Sequence, residues 1–143
     1  MADIKNLMKH YFEEAIPFHK LLGIKIIEIE KGYAKCIIPF KNELLGDAPA
    51  KRWHGGVIAT AMDGLGGMAA ATHMSSYKDR MSTIDLRIDY LWGTTTKDLF
   101  VEAKVARNGQ RVIAVSMTAY HDKDKLVAEG RGVYSIRRKK GEK

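Results

Sequence analysis

The spacing of apolar residues divides this chain into helical and extended segments. Over Ile4–Ala15, Leu7, Met8, Tyr11 and Phe12 fall at helical spacing, and Pro17 is placed to end the helix. From Gly23 the period shortens. Ile24, Ile26 or Ile27, and Ile29 predict a strand, Lys31-Gly32 a turn, and Tyr33–Phe40 a second strand. Residues Lys41 to Trp53, with Gly46, Asp47 and Pro49, predict a loop. The apolar run Gly55–His73 predicts one long helix. Beyond it Ile84, Leu86, Ile88 and Tyr90 alternate with Thr83, Asp85, Arg87 and Asp89, which are expected on the opposite face. Gly93–Lys97 breaks the strand. Leu99–Arg107 alternates again, and Asn108-Gly109-Gln110 is a hairpin signal. Strands follow over Arg111–Asp122 and Leu126–Arg138. Helix, two strands, long helix and an antiparallel four-strand meander predict an α+β domain with its sheet wrapped on the long helix.

That helix raises the chemical question. It is about 28 Å long at the standard rise. It is apolar nearly all round, so it is expected to be buried. Gly64, Gly66 and Gly67 lie inside it, and each costs about 1 kcal/mol against alanine. Close approach of a sheet or a second helix would explain them. Asp63 is its one charged residue. A buried carboxylate needs hydrogen bonds or a partner. Either backbone or Thr83 across the core satisfies it, or it is poised for chemistry.

His54-Gly55-Gly56 opens the helix. First-turn N–H groups lack intrahelical acceptors and favour negative charge, which suits an oxyanion or phosphate. An ordinary glycine turn would look the same. Asp63 lies eight residues beyond Gly55, about 12 Å along the axis, too far for both to touch one carbonyl. If both act in one reaction, Gly55 must come from another copy. Antiparallel helices crossing near Ala59, with Thr60 and Ala61 allowing close approach, would make two equivalent sites in a C2 dimer.

Composition narrows this picture. The 143 residues suit a single domain, with an N-terminal helix over about 3–16 and a basic, mobile tail over about 137–143. The glycines, threonines and Asp63 argue against a membrane-spanning segment at 55–73. No secretory signal is evident, and Cys36 is alone, expected as a small buried residue. A reducing, cytoplasmic setting fits. The net charge of +7 suits nucleic acid or an anionic small molecule. Without a helix-turn-helix pattern, zinc-ligand spacing or aromatic-basic interleaving, neither nucleic acid nor a metal is expected.

The motif HGGVIATAMDGLGGMAA resembles the helix of hotdog-fold thioesterases, specifically the phenylacetate-pathway type. STIDLRIDYLWGTT and the last strands, VEAKVARNGQRVIAVSMTAYHDKDKLVAEGRGVYSI, agree with it. The similarity runs from about Gly23 to Ile136. It implies a curved antiparallel β-sheet around one long central α-helix, and a dimer or tetramer with sites between subunits. It implies hydrolysis of acyl-coenzyme A thioesters without a separate cofactor, coenzyme A being part of the substrate. By position, Asp63 matches the nucleophile or general base and Gly55 the backbone N–H that polarises the carbonyl. Thr83 matches a residue that helps place the attacking water. His54 and Gly56 fall at the substrate. Asp47 stands where relatives often carry Asn or Gln, and Asp cannot donate the same hydrogen bond. Arg107 and Arg111, with Lys104, flank the Asn108-Gly109 turn and are expected to meet the phosphates of coenzyme A; a solvated basic hairpin is the plainer alternative.

Two other functions compete. A hotdog hydratase or dehydratase would need a histidine converging with a carboxylate, for which His54 and His73 are the visible candidates. A non-catalytic acyl-CoA binding module would keep the fold without needing Asp63.

Overall fold

Pro17 starts a helix as well as ending one. In the computed structural model, which describes residues 2–139, helix α1 (Ala2–His10) widens into a π turn over Tyr11–Ala15. The Ile16 N–H closes that turn on the Tyr11 carbonyl at 3.2 Å. Pro17 then opens α2 (Pro17–Leu22), in a first-turn position where its missing N–H costs nothing. The periodicity predicted one helix and missed α2, which is too short to show a period. Phe12 is buried, but Leu7 and Tyr11, expected on the same inward face, are exposed.

The hairpin follows as expected, with β1 (Lys25–Glu30) and β2 (Tyr33–Ile38). Glu13 ties the N-terminal segment to it: Oε1 accepts the Ile26 N–H at 2.7 Å, beside a bulge in β1. The expected loop holds a 3-10 turn over Asn42–Leu44 and a small hairpin of β3 (Leu45–Asp47) and β4 (Arg52–Trp53). Then come α3 (Gly55–Ala71), β5 (Arg80–Tyr90), β6 (Leu99–Asn108), β7 (Val112–Asp122) and β8 (Lys125–Arg137).

The last four strands do not form the expected meander. The six-stranded antiparallel sheet runs β1-β2-β6-β7-β8-β5. Strands β6, β7 and β8 are sequential neighbours, but β5 lies beyond β8, and β6 pairs with β2. Burial accounts for the choice. Ala34, Cys36 and Ile38 of β2 stand opposite Ala103, Val101 and Leu99 of β6, all buried. The mixed residues of β5 are mostly exposed and suit an edge strand. Cys36 is sealed in the core, as expected, and burial pushes its thiol up to about 12.

Helix α3 lies against this sheet, burying Ile58, Ala61, Met62, Leu65 and Met68–Ala70. It is not buried all round. A stripe of Gly56, Ala59, Thr60 and Asp63 is only partly covered. The C-terminal tail also departs from expectation. Arg137 ends β8, Arg138 donates to the carbonyls of Gln110 and His73, and the Lys139 N–H donates to buried Asp79. The tail is therefore anchored as far as Lys139; 140–143 lie outside the described residues.

The helix glycines permit the expected close approach. A Cβ on Gly66 would collide with the Tyr134 hydroxyl and stand 2.7 Å from Met117 Sδ. Gly66→Ala gains about 1 kcal/mol of helix propensity but incurs overpacking of up to about 3 kcal/mol and displaces a buried hydroxyl. Net destabilisation of about 2 kcal/mol is expected. Urea unfolding checks it, through a lower midpoint at unchanged slope.

Candidate active site

A bulge in β5 builds the site around Asp63. Thr83 pairs with Tyr134 and Asp85 with Val133, so Ile84 is the extra residue, turned outward and 57% exposed. The bulge resets the alternation. Simple alternation put Thr83 on the face opposite Leu86; with the bulge its hydroxyl turns to the helix and donates to Asp63 Oδ1 at 2.9 Å, the bond across the core expected as one way to satisfy that carboxylate. The Tyr134 hydroxyl donates to the Asp63 main-chain carbonyl at 2.8 Å and lies 3.4 Å from Oδ1. Burial, then the Asp63 charge, push the Tyr134 hydroxyl far above its usual pKa, so it remains a donor. Among the described residues none donates to Oδ2. Asp63 is half-buried and lines a cleft of about 330 Å³ with Ile16, Phe18, His19, Ala59, Thr60, Gly64 and Leu86.

The start of α3 is held separately. Trp53 is buried and donates twice to the β5–β6 connection: its N–H to Thr94 Oγ1 at 2.8 Å, its indole N–H to the Thr95 carbonyl at 2.7 Å. His54 caps the helix, Nδ1 accepting the Gly56 N–H at 2.8 Å. Gly56 N–H is thereby committed, and Val57 N–H bonds the His54 carbonyl. Gly55 N–H has no acceptor among the described residues, while its carbonyl accepts the Tyr90 hydroxyl at 2.7 Å. The His54 N–H is taken by the Leu44 carbonyl at 2.8 Å, so of the three main-chain N–H groups in the motif Gly55 alone has no acceptor among the described residues. Asp47 is exposed and accepts the Ala50 N–H at 3.1 Å, which shapes its own turn.

The histidine that meets Asp63 is neither of those foreseen. His54 is the cap. His73 sits past the far end of α3, with Nδ1 3.2 Å from the Asn108 amide. His19, on α2, shares the cleft. Its Nδ1 lies 3.0 Å from the Phe12 carbonyl, which can only accept, so Nδ1 carries the proton. Burial pulls its pKa below the usual value, although the Phe12 carbonyl and Asp63 oppose this. The basic residues divide. Arg111 lines a groove with Arg137 and Arg138 beside the β6–β7 turn; Arg107 is exposed on β6 and is not among the residues lining that groove. No described helix is long and apolar enough to cross a membrane.

Residues 51–128, which hold the capped helix, Asp63 and Thr83, match the model of the thioesterase superfamily. The chain belongs to the thioesterase superfamily. That makes it a thioester hydrolase by class, on the hotdog fold. A Saccharolobus solfataricus protein provisionally named an esterase is 34% identical over 140 residues, covering 98% of this chain and 97% of its own. The medium/long-chain acyl-CoA thioesterase YigI of Salmonella typhimurium is 29% identical, with 92% of each chain covered. A Shewanella oneidensis crystal structure, related to the same superfamily, superposes with a TM-score of 0.85 at 28% identity, covering 95% of this chain and 97% of that one.

For a superfamily member with this geometry, the Thr83 hydroxyl should matter more to rate than to binding. Thr83→Val is expected to lower kcat about tenfold, the equivalent of roughly 1.4 kcal/mol for one lost hydrogen bond, with KM nearly unchanged. Thr83→Ser should retain most of the activity. Steady-state thiol release checks both.

Proposed function

We propose that the chain hydrolyses acyl-coenzyme A thioesters to a free acid and coenzyme A, with Asp63 as the base toward water. One observation carries this reading. Thr83 donates to one carboxylate oxygen of Asp63, the other has no donor among the described residues, and Asp63 lines a cleft with Ile16, Phe18 and Leu86. A carboxylate so held can take a proton from water at the mouth of an acyl pocket. Direct attack by Asp63, through a transient anhydride, is the alternative route of the same reaction. Ile16, Phe18 and Leu86 favour an aliphatic acyl group, in line with the name of the Salmonella relative. The motif from His54 to Asp63 supports the phenylacetate-pathway type.

The active unit is a homodimer in this reading, alone or within a tetramer. Gly55 of the neighbouring subunit supplies the oxyanion donor, with His54, Gly56 and Asp47 bordering the substrate. The partly covered stripe on α3 and the unpaired outer edge of β5 support it. The lone buried Cys36 supports a cytoplasmic setting.

Thiol release from acyl-CoA compounds of graded chain length tests the reaction; inactivity across the series would favour a binding module. The presence of His19 in the same cleft as Asp63 gives the hydratase reading its one support. Loss of enoyl-CoA absorbance without thiol release would sustain it. Arg107 and Arg111 are assigned to the coenzyme A phosphates. Reversing both to Glu should raise KM for acyl-CoA with kcat little changed, and an unchanged KM removes that role.

A further inference from the structure

We propose that His19 is a water-binding residue of the reaction, its Nε2 accepting a hydrogen bond from the water that Asp63 activates. This rests on the thioesterase reading above and adds a group from the N-terminal segment.

The geometry gives the imidazole two different nitrogens. Nδ1–H is fixed on the Phe12 carbonyl at 3.0 Å, and the ring packs on Phe12 with centroids 4.3 Å apart. The ring is buried and cannot turn without breaking that bond. Nε2 is left as a lone-pair acceptor with no donor among the described residues. It lies on Gly64, next in the chain to Asp63, and a Cβ at Gly64 would stand 2.7 Å from it. Glycine at this helix position is what lets the imidazole reach the cleft. Burial favours the neutral ring, so the lone pair is present through neutral pH.

In the step, the water oxygen bonds to the thioester carbon while the carbonyl pair moves onto its oxygen. One water proton passes to Asp63; the other stays on the new hydroxyl, held by Nε2. Collapse breaks the C–S bond, and the leaving sulfur takes the proton from Asp63. Acid and thiol are released, and His19 ends unchanged. Fixing the water in this way reduces the freedom it must lose at the barrier.

His19→Asn and His19→Gln separate this role from a structural one. An Asn amide can occupy the place of Nδ1 and keep the Phe12 bond; a Gln amide reaches the place of Nε2. With an acyl-CoA that the wild type hydrolyses, Asn is expected to keep its melting temperature and KM but lose kcat about ten- to a hundredfold. Gln is expected to recover part of the kcat despite lower stability. Wild-type kcat in the Asn variant overturns the proposal, as does a kcat loss in both that follows melting temperature. If Asn does not fold, Gly64→Ala, which drives the ring from its seat, must lower kcat at constant KM, and an unchanged kcat overturns it. Inactivity of the wild type would instead count against the thioesterase reading itself.

Discussion

Asp63→Asn is expected to lower kcat for acyl-CoA hydrolysis by about a hundred- to ten-thousandfold, the range for loss of a positioned base. The amide keeps the shape and one oxygen to accept the Thr83 hydroxyl, which now sits 2.9 Å from Oδ1. It cannot take a proton. KM should change little, because in the proposed reaction the carboxylate acts on water rather than holding coenzyme A. Stability should stay within about 1 kcal/mol, since the Tyr134 bond is to the main-chain carbonyl and survives. Thiol release by wild type, Asp63→Asn and Asp63→Ala measures this. Hydrolysis that persists in both variants removes Asp63 from the mechanism. A single turnover in heavy-oxygen water then probes for the covalent route. Label in the Asp63 carboxylate shows that it attacked and that water opened the anhydride at the Asp63 carbon; trapping of an acyl-Asp63 adduct by hydroxylamine tests for an anhydride opened at the acyl carbon.

The helix and the motif on it were legible because their signals are local. A long apolar run opened by His54-Gly55-Gly56 and interrupted only by Asp63 has few readings. Strand positions were legible for the same reason, since alternation is a property of neighbours. Strand partners were not. Nothing within β5 says that it pairs with β8 instead of β6; the matched burial of Ala34, Cys36 and Ile38 against β6 decides that from a distance. Thr83 was named as a partner for Asp63 across the core and again by resemblance, yet the bulge at Ile84 that turns it there has no mark in the sequence STIDL. Tyr134 fell within the last predicted strand, and His19 in the stretch between Pro17 and Gly23 to which no element was assigned. Both reach Asp63 through tertiary packing alone, so periodicity could not bring them there.

Gly55→Pro is expected to cost about a hundred- to thousandfold in kcat, the loss typical of one oxyanion donor. Proline removes the N–H and little else. Gly55 is the first residue of α3, where proline is favoured, and His54 has ψ 126°, the extended conformation that proline requires of its predecessor. The added Cβ would lie 3.3 Å from the Tyr90 hydroxyl, so that half-exposed side chain, which donates to the Gly55 carbonyl, must give by a few tenths of an ångström. The decisive measurement is a mixture. Chains carrying Gly55→Pro coexpressed with chains carrying Asp63→Asn form mixed dimers at random. If the donor acts across the interface, each mixed dimer holds one site with an intact Asp63 and an intact Gly55, and one site lacking both. Half the dimers are mixed and each has one good site of two, so about a quarter of wild-type activity returns. If both groups served one chain, every site would lack one of them and nothing would return above the parent variants. The 12 Å separating the two residues along α3 is the reason to expect recovery.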